Sequence, residues 1–356
     1  LVVLDESQAN LVAHTCVDTN SKNMENNIYY FELMLRDSKY IIVADAFLGS
    51  KTLRFLSDLG IPTVIYNYTH KLPQREIIRI KKITKLFITK EGSQSELWKG
   101  LNNTQKDNFR KIHPLDTLRI YIEKSLLSGE KNFVFVSSKN RAKKWCEHFQ
   151  KKYPTKNILL YVGGSDIGDI KEDWKHADMV ITTATITVGI NYDNSDPKYM
   201  FHNIFIYASS RSHNLVSDII QSHYRVRHLI NNKLYLFVDS TRNKTFTTDY
   251  KEIEDNFIWR EKYFKSKFKG FDDASKTFKN LVNNNIFEQH MSSMNLGEML
   301  DYYLRECNYV ECSREENEDI EDIEFDLKLN YSSVDTTFDQ SRLLNEFQAH
   351  QLIQKK

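Results

Sequence analysis

The chain has 356 residues, 40% of them hydrophobic and 27% charged. That length suits two domains with an appendage, and the composition is that of a folded globular protein, not a disordered one. No stretch approaches the ~18 consecutive apolar residues of a membrane-spanning helix, so no membrane partner is expected. The four cysteines, Cys16, Cys146, Cys307 and Cys312, are too few and too scattered to staple the chain, which points to an intracellular, reducing compartment. The close pair Cys307 and Cys312 lacks a second pair to complete a tetrahedral zinc site.

The formal net charge of +1 conceals an asymmetry. Residues 311–340 carry eleven acids against Arg314 and Lys328, a local balance of −9, so the rest of the chain sums to +10. The eight carboxylates between Glu315 and Asp326, with no basic side chain among them, read as a solvated segment or as an acidic flap that competes with a polyanion for a basic groove. The mildly basic remainder permits nucleic-acid binding without requiring it. The chain opens on Leu1-Val2-Val3-Leu4, without an initiator Met or a signal-peptide layout, and reads as part of a longer polypeptide.

Short apolar runs alternate with amphipathic stretches, the pattern of an α/β fold with parallel sheets. Strands are expected at residues 1–4, 40–44, 63–67, 133–136, 158–161, 179–182, 204–207 and 234–238. Helices are expected at 26–35, 50–59, 115–127, 141–152 and 213–228, with Gly60-Ile61-Pro62 ending the second of them. The polar stretch 91–111 breaks the alternation and is taken as an interdomain linker. It separates 1–90, the C-terminal part of a first domain, from 112–245, a complete second one. Beyond Thr245 the strands stop. A helical extension follows over 246–310, with helices at 250–268, 273–282 and 296–305, and then the acidic segment with a terminal helix (311–356).

Four features can carry chemistry. The first strand ends in Asp5-Glu6, where a parallel strand delivers side chains to the crevice that binds nucleotides. There an Asp can hold the Mg²⁺ of a triphosphate and a Glu can activate water, although Asp-Glu after a strand is also an ordinary helix start. A second strand ends in Asp45-Ala46, which serves either as a link to the first strand's loop or as a turn. The run Thr182-Thr183-Ala184-Thr185-Ile186-Thr187-Val188-Gly189 offers hydroxyls and backbone N–H groups to phosphates, although Thr is also a good strand residue. Gln221 and Arg225 share one helical face, with Arg227 beyond them. This is either an arginine-finger arrangement or a solvated basic helix end.

In order, Asp5-Glu6, Asp45-Ala46-Phe47-Leu48, Ser137-Ser138-Lys139, Thr182 to Gly189 and Gln221 to Arg227 resemble motifs II to VI of a superfamily 2 helicase, without motif I. More specifically they resemble the viral replication origin-binding protein family, whose best-known members are herpesvirus origin-binding helicases. The resemblance covers about residues 1–240 and implies two RecA-like parallel-sheet domains, the first incomplete, ahead of the helical C-terminal region. It implies an ATP-dependent DNA helicase or translocase of viral DNA replication, with ATP and Mg²⁺ as cofactors and DNA favoured over RNA. Replication proteins are expected as partners, at the site of viral genome replication in the nucleus or a cytoplasmic factory.

The implied roles are these. Asp5 takes Mg²⁺ through water and Glu6 activates the attacking water. Asp45 couples hydrolysis to domain movement. Ser137, Ser138, Thr182, Thr183, Thr185 and Thr187 contact the nucleic-acid backbone, with Gly189 allowing close approach. Gln221, Arg225 and Arg227 reach the nucleotide phosphates. The sequence departs from the pattern in three places. The phosphate loop G-x-x-x-x-G-K-[ST] does not occur in it. Tyr224 stands where Gly usually precedes the arginine. The position three residues after Arg225 holds His228, so either Arg225 or Arg227 can be the phosphate contact. A non-hydrolysing nucleic-acid-binding or interaction protein on a degenerate helicase scaffold is the alternative, and an RNA helicase shares every motif. Trp259, Tyr263, Phe264 and Phe268 serve either as base-stacking groups or as core.

Overall fold

A computed structural model describes residues 1–16, 24–45, 48–66, 73–80, 114–185, 191–212, 214–240, 246–264 and 275–312. Thr187, Gly189, Phe268, the expected linker 91–111 and the acidic segment beyond Cys312 with its terminal helix lie outside them. Among the described residues all strand pairing is parallel, the arrangement expected of the apolar runs. A two-stranded sheet joins β1 (Val2–Asp5) to β2 (Ile41–Ala44), with Val2 opposite Ile41 and Asp5 opposite Ala44. The helices α1 (Ser7–Thr15), α2 (Met24–Arg36) and α3 (Ser50–Asp58) pack against it.

The second sheet has seven strands in the order β5-β6-β4-β7-β8-β3-β9. They are β3 (Arg75–Arg79), β4 (Asn132–Val136), β5 (Ile158–Tyr161), β6 (Met179–Thr182), β7 (Phe201–Ser209), β8 (Leu229–Asp239) and β9 (Tyr309–Glu311). Side chains on its inner strands alternate between two cores. Phe133, Phe135, Ile204, Ile206, Leu234 and Leu236 face one side. They meet Trp174 on α6 (Ile170–His176), Ile219 and Ile220 on α7 (Val216–Tyr224), and Leu300 and Leu304 on α11 (Leu296–Glu306). On the other side, Val134, Val136, Phe205 and Tyr207 meet Leu118 and Ile122 of α4 (Pro114–Leu127) and Trp145 and Phe149 of α5 (Lys139–Lys152). Burial of both faces explains why these strands read as continuous apolar runs.

The structure corrects the expected elements in several places. Residues 61–66 are irregular: among the described residues they have no ladder partner, and Val64, Ile65 and Tyr66 stay exposed. An apolar run becomes a strand only where a neighbour accepts its hydrogen bonds. The short β9 follows the helical extension, so strands do not stop at Thr245; Tyr309 pairs with Arg75 on β3, which itself pairs with β8. The arginine helix is shorter than 213–228. Its last residue is Tyr224, because Arg225 and Arg227 turn away to bond with Tyr192: Tyr192 N–H donates to Arg225 O (2.8 Å) and Arg227 N–H to Tyr192 O (3.2 Å). The stretch from 250 is broken into α8 (Tyr250–Asp255) and α9 (Phe257–Phe264) at Asn256. The next helix, α10 (Lys276–Met294), runs well past residue 282 and is capped by Ser275, whose Oγ accepts from Phe278 N–H at 3.1 Å. Trp259 and Phe264 lie in the core with Leu11, Phe31 and Phe55, and the Tyr263 hydroxyl lies 2.8 Å from that of Thr15. These three rings are core, not base-stacking platforms. All four cysteines are free thiols, and no described helix is long and apolar enough to cross a membrane.

Candidate active site

The carboxyl end of β1 passes directly into α1 through one strained residue. Glu6 has φ 51° and ψ 52°, a left-handed conformation that costs a non-glycine residue roughly 1–2 kcal/mol. This turn aims its side chain across to the large sheet's arginine helix, where Arg225 Nη2 donates to Glu6 Oε1 at 2.7 Å. Both side chains are largely covered, at 20% exposure for Glu6 and 11% for Arg225. Burial raises the Glu6 pKa above its ordinary value of 4.5, and Asp5 and Asp45 add to the rise while Arg225 opposes it. Glu6 Oε2 is buried with no hydrogen-bond partner among the described residues. A carboxylate with one oxygen held by an arginine and the other uncommitted is poised to accept a proton.

The neighbouring acids sit differently. Asp5 is exposed, and its Oδ1 accepts from Glu6 N–H at 3.1 Å. Asp45, at the end of β2, accepts from Gln8 N–H (2.8 Å) and from the Ser7 hydroxyl (3.4 Å) through Oδ2. Ser7 Oγ in turn lies 3.1 Å from Thr52 Oγ1. Asp45 is thereby tied to the residues that follow Glu6. Among the described residues no group of three or more His, Cys, Asp or Glu is placed to hold a metal ion by itself.

On α7, Gln221 is 7% exposed and sits one turn before Arg225. Ser222 and His223 between them are fully buried, and burial pushes His223 down to about 3, keeping the ring neutral inside the fold. Arg227 does not join the carboxylates. Its Nε donates to Asn191 Oδ1 at 2.9 Å in an exposed position, and His228 bonds Asp193. Of the two candidate arginines, only Arg225 is brought to Glu6.

The serine and threonine candidates gather at one edge, because β4 and β6 end side by side with Phe135 opposite Thr182. Several of their hydroxyls are already engaged. Ser137 Oγ accepts from Ser209 N–H (2.9 Å), Thr182 Oγ1 donates to Thr183 O (2.9 Å), and the Thr183 and Thr185 hydroxyls lie 2.9 Å apart. Ser137, Thr182 and Thr183 are buried, whereas Ser138 and Thr185 are partly open. Lys139, exposed at the start of α5, donates to Gly163 O.

Sequence reasoning missed the residue that anchors the arginine segment. Arg75 on β3 is buried and donates to Val226 O (3.1 Å), Arg227 O (2.9 Å) and the Tyr309 hydroxyl (3.1 Å). Its guanidinium also lies 5.6 Å from the Tyr224 ring centroid. Tyr224, in the position where a glycine was expected, is packed here, and its hydroxyl donates to Cys307 O at 3.2 Å. No local signal marks Arg75, since its role depends on β3 joining a sheet whose other strands lie far along the chain.

The architecture defines an α/β protein of parallel sheets with an acid–arginine pair where two strand-carrying layers meet. The chain belongs to the family of origin of replication binding proteins, which matches residues 2–259. It is similar to the replication origin-binding proteins of varicella-zoster virus strains Dumas and Oka vaccine, at 32% identity over 92 residues; that stretch is 25% of this chain and 10% of each viral protein. Among solved structures, S. cerevisiae Dbp5 bound to RNA and ADP BeF3 aligns with 80% of this chain and 63% of its own, at 11% identity and TM-score 0.41. The Pyrococcus furiosus Hef helicase domain aligns with 67% of this chain and 71% of its own, at 14% identity and TM-score 0.33.

Proposed function

We propose that this chain forms part of an ATP-dependent DNA translocase that acts in viral DNA replication, and that Glu6 and Arg225 are its catalytic pair. The observation that carries the reading is the 2.7 Å contact between Arg225 of the large sheet and Glu6 at the end of β1. Family membership supports the replication role. The residues present fit a triphosphate with Mg²⁺: an uncommitted buried oxygen on Glu6, an exposed carboxylate on Asp5, and a guanidinium on the opposite layer.

Bound Mg·ATP supplies the phosphoryl group transferred to water. Asp5 would hold the metal through water, since Mg²⁺ commonly binds through one or two carboxylates and the phosphates. Glu6 accepts the proton of the attacking water, a role its raised pKa favours. Arg225 stabilises negative charge opposite it. Because Arg225 is engaged by Glu6 in this structure, a polyphosphate competes with the carboxylate for the guanidinium, and that exchange couples nucleotide state to the spacing of the two layers. Asp45, bonded to Gln8 N–H, transmits movement of the Glu6 turn to β2. Lys139, Ser138 and Thr185 are proposed to meet the nucleic-acid backbone in contacts that are independent of sequence and weaken with salt.

Turnover requires a phosphate-cradling loop that this sequence does not contain, so hydrolysis is to be measured on the longest natural polypeptide carrying these residues and on this chain alone. Hydrolysis stimulated by single-stranded DNA more than by RNA supports the proposal. Stimulation by RNA alone makes the protein an RNA helicase, and nucleic-acid binding without turnover in either polypeptide makes it a non-hydrolysing scaffold.

A further inference from the structure

The helices α10 and α11 lie beyond the family match and connect its two layers. The first half of α10 puts Phe278, Leu281, Val282 and Ile286 into the core beneath β1 and β2. Polar contacts reinforce that seat. Arg54 Nη1 donates to Asn284 Oδ1 (3.1 Å), Asn285 Nδ2 to Thr15 Oγ1 (2.7 Å), and the buried Lys51 ammonium pairs with Glu288 (2.8 Å). The last turn of α10 then reaches the arginine helix, where Ser292 Oγ accepts from the N–H of Val216, the first residue of α7, at 3.3 Å. After Asn295, α11 buries Leu296, Leu300 and Leu304 against the large sheet. Its C-cap, Cys307, accepts from the hydroxyl of Tyr224, the last residue of α7. One continuous extension therefore grips α7 at both ends and α1 and α3 at its other side.

We infer that the extension Lys276–Cys307 sets the reach of Arg225 to Glu6, with Glu288 and Tyr224 as positioning residues that touch neither nucleotide nor nucleic acid. The meaning of that reach for catalysis rests on the proposed function; the mechanical claim does not. Bonds at both ends of α7 fix its translation and rotation relative to the layer that carries Glu6, which packing of α11 alone would leave free to slide. Lys51 has no exposed side-chain surface, so its pairing with Glu288 has little slack.

The test is amide hydrogen exchange on the full chain, without nucleotide. Tyr224→Phe keeps the ring and removes only the hydroxyl; Glu288→Gln keeps the side-chain shape and removes the charge. In each variant the amides of Val216–Tyr224 should exchange about 10-fold faster, the factor that losing one ordinary hydrogen bond gives a local opening. The amides of β4 and β7 should keep their original rates. Unchanged α7 exchange, or acceleration spread equally over α7, β4 and β7, overturns the inference and reduces the extension to general stabilisation. If Glu288→Gln does not fold, Tyr224→Phe decides alone. Since the readout needs no nucleotide, absent turnover with accelerated α7 exchange would sink the proposed function and leave this inference standing.

Discussion

Asp218, in the first turn of the arginine helix, is a buried acid whose removal should stabilise the protein. Its Oδ2 accepts from Leu215 N–H at 3.3 Å, and burial pushes its pKa from 3.8 to about 6 against the opposing pull of that bond and of Lys51, with Glu288 adding to the rise. Well below pH 3.8 the acid is protonated whether the chain is folded or not, and its burial carries no ionisation cost. As pH rises above 3.8 the unfolded state ionises its carboxyl while the folded state keeps the proton up to about 6, so stability is lost between those two values and stays level above them. At 1.36 kcal/mol per pH unit the displacement from 3.8 to about 6 amounts to about 3 kcal/mol above pH 7. Asp218→Asn keeps an acceptor for Leu215 N–H and removes the charge. Urea unfolding should show the variant more stable by about 3 kcal/mol at pH 7.5, with the gain shrinking through the acid range and vanishing only well below pH 3.8. A variant less stable than the parent at pH 7.5, or a difference that does not change with pH, would show that burial of the Asp218 charge does not limit stability.

Two other outcomes follow from the same geometry. Arg225→Ala should lower nucleotide turnover on the order of 10³-fold while Arg227→Ala, whose side chain bonds Asn191, changes it far less; steady-state kinetics of the two variants side by side reads this, and the reverse order would move the catalytic arginine. Trp259→Ala should cost about 3–5 kcal/mol in urea unfolding and leave the salt dependence of single-stranded DNA binding unchanged, since the ring is packed against Phe246 and His290 in the core.

How much could be read beforehand depended on whether the signal was local. β1, β2, β4 and β6 appear as apolar runs because their residues meet partners on one or both faces regardless of what lies far along the chain. β3 was invisible because Arg75 and Arg79 bracket its apolar residues, and only the structure shows each arginine satisfied, by Tyr309 and backbone carbonyls in one case and by Asp301 and Glu311 in the other. The run at 63–67 misled for the opposite reason: its apolar residues have the composition of a strand but no ladder neighbour among the described residues. In the candidate site, the residue types and their order were legible and their pairing was not. Glu6 and Arg225 are 219 positions apart, and both arginines near the helix end had equal claim until the backbone bonds at Tyr192 turned Arg227 away. The grip of α10 on both layers had no signature at all, because Lys51, Glu288 and Ser292 look like ordinary helix-surface residues until their neighbours are known.

Under the proposed function Glu6 activates water while Arg225 answers the charge on the opposite side. The most direct test of these roles is Glu6→Gln in the longest natural polypeptide, with hydrolysis followed by phosphate release and binding followed with a fluorescent ATP analogue. DNA-stimulated hydrolysis is expected to be abolished while the analogue still binds, more tightly than in the parent because Arg225 is freed from its carboxylate. Hydrolysis at the parental rate in Glu6→Gln would contradict them.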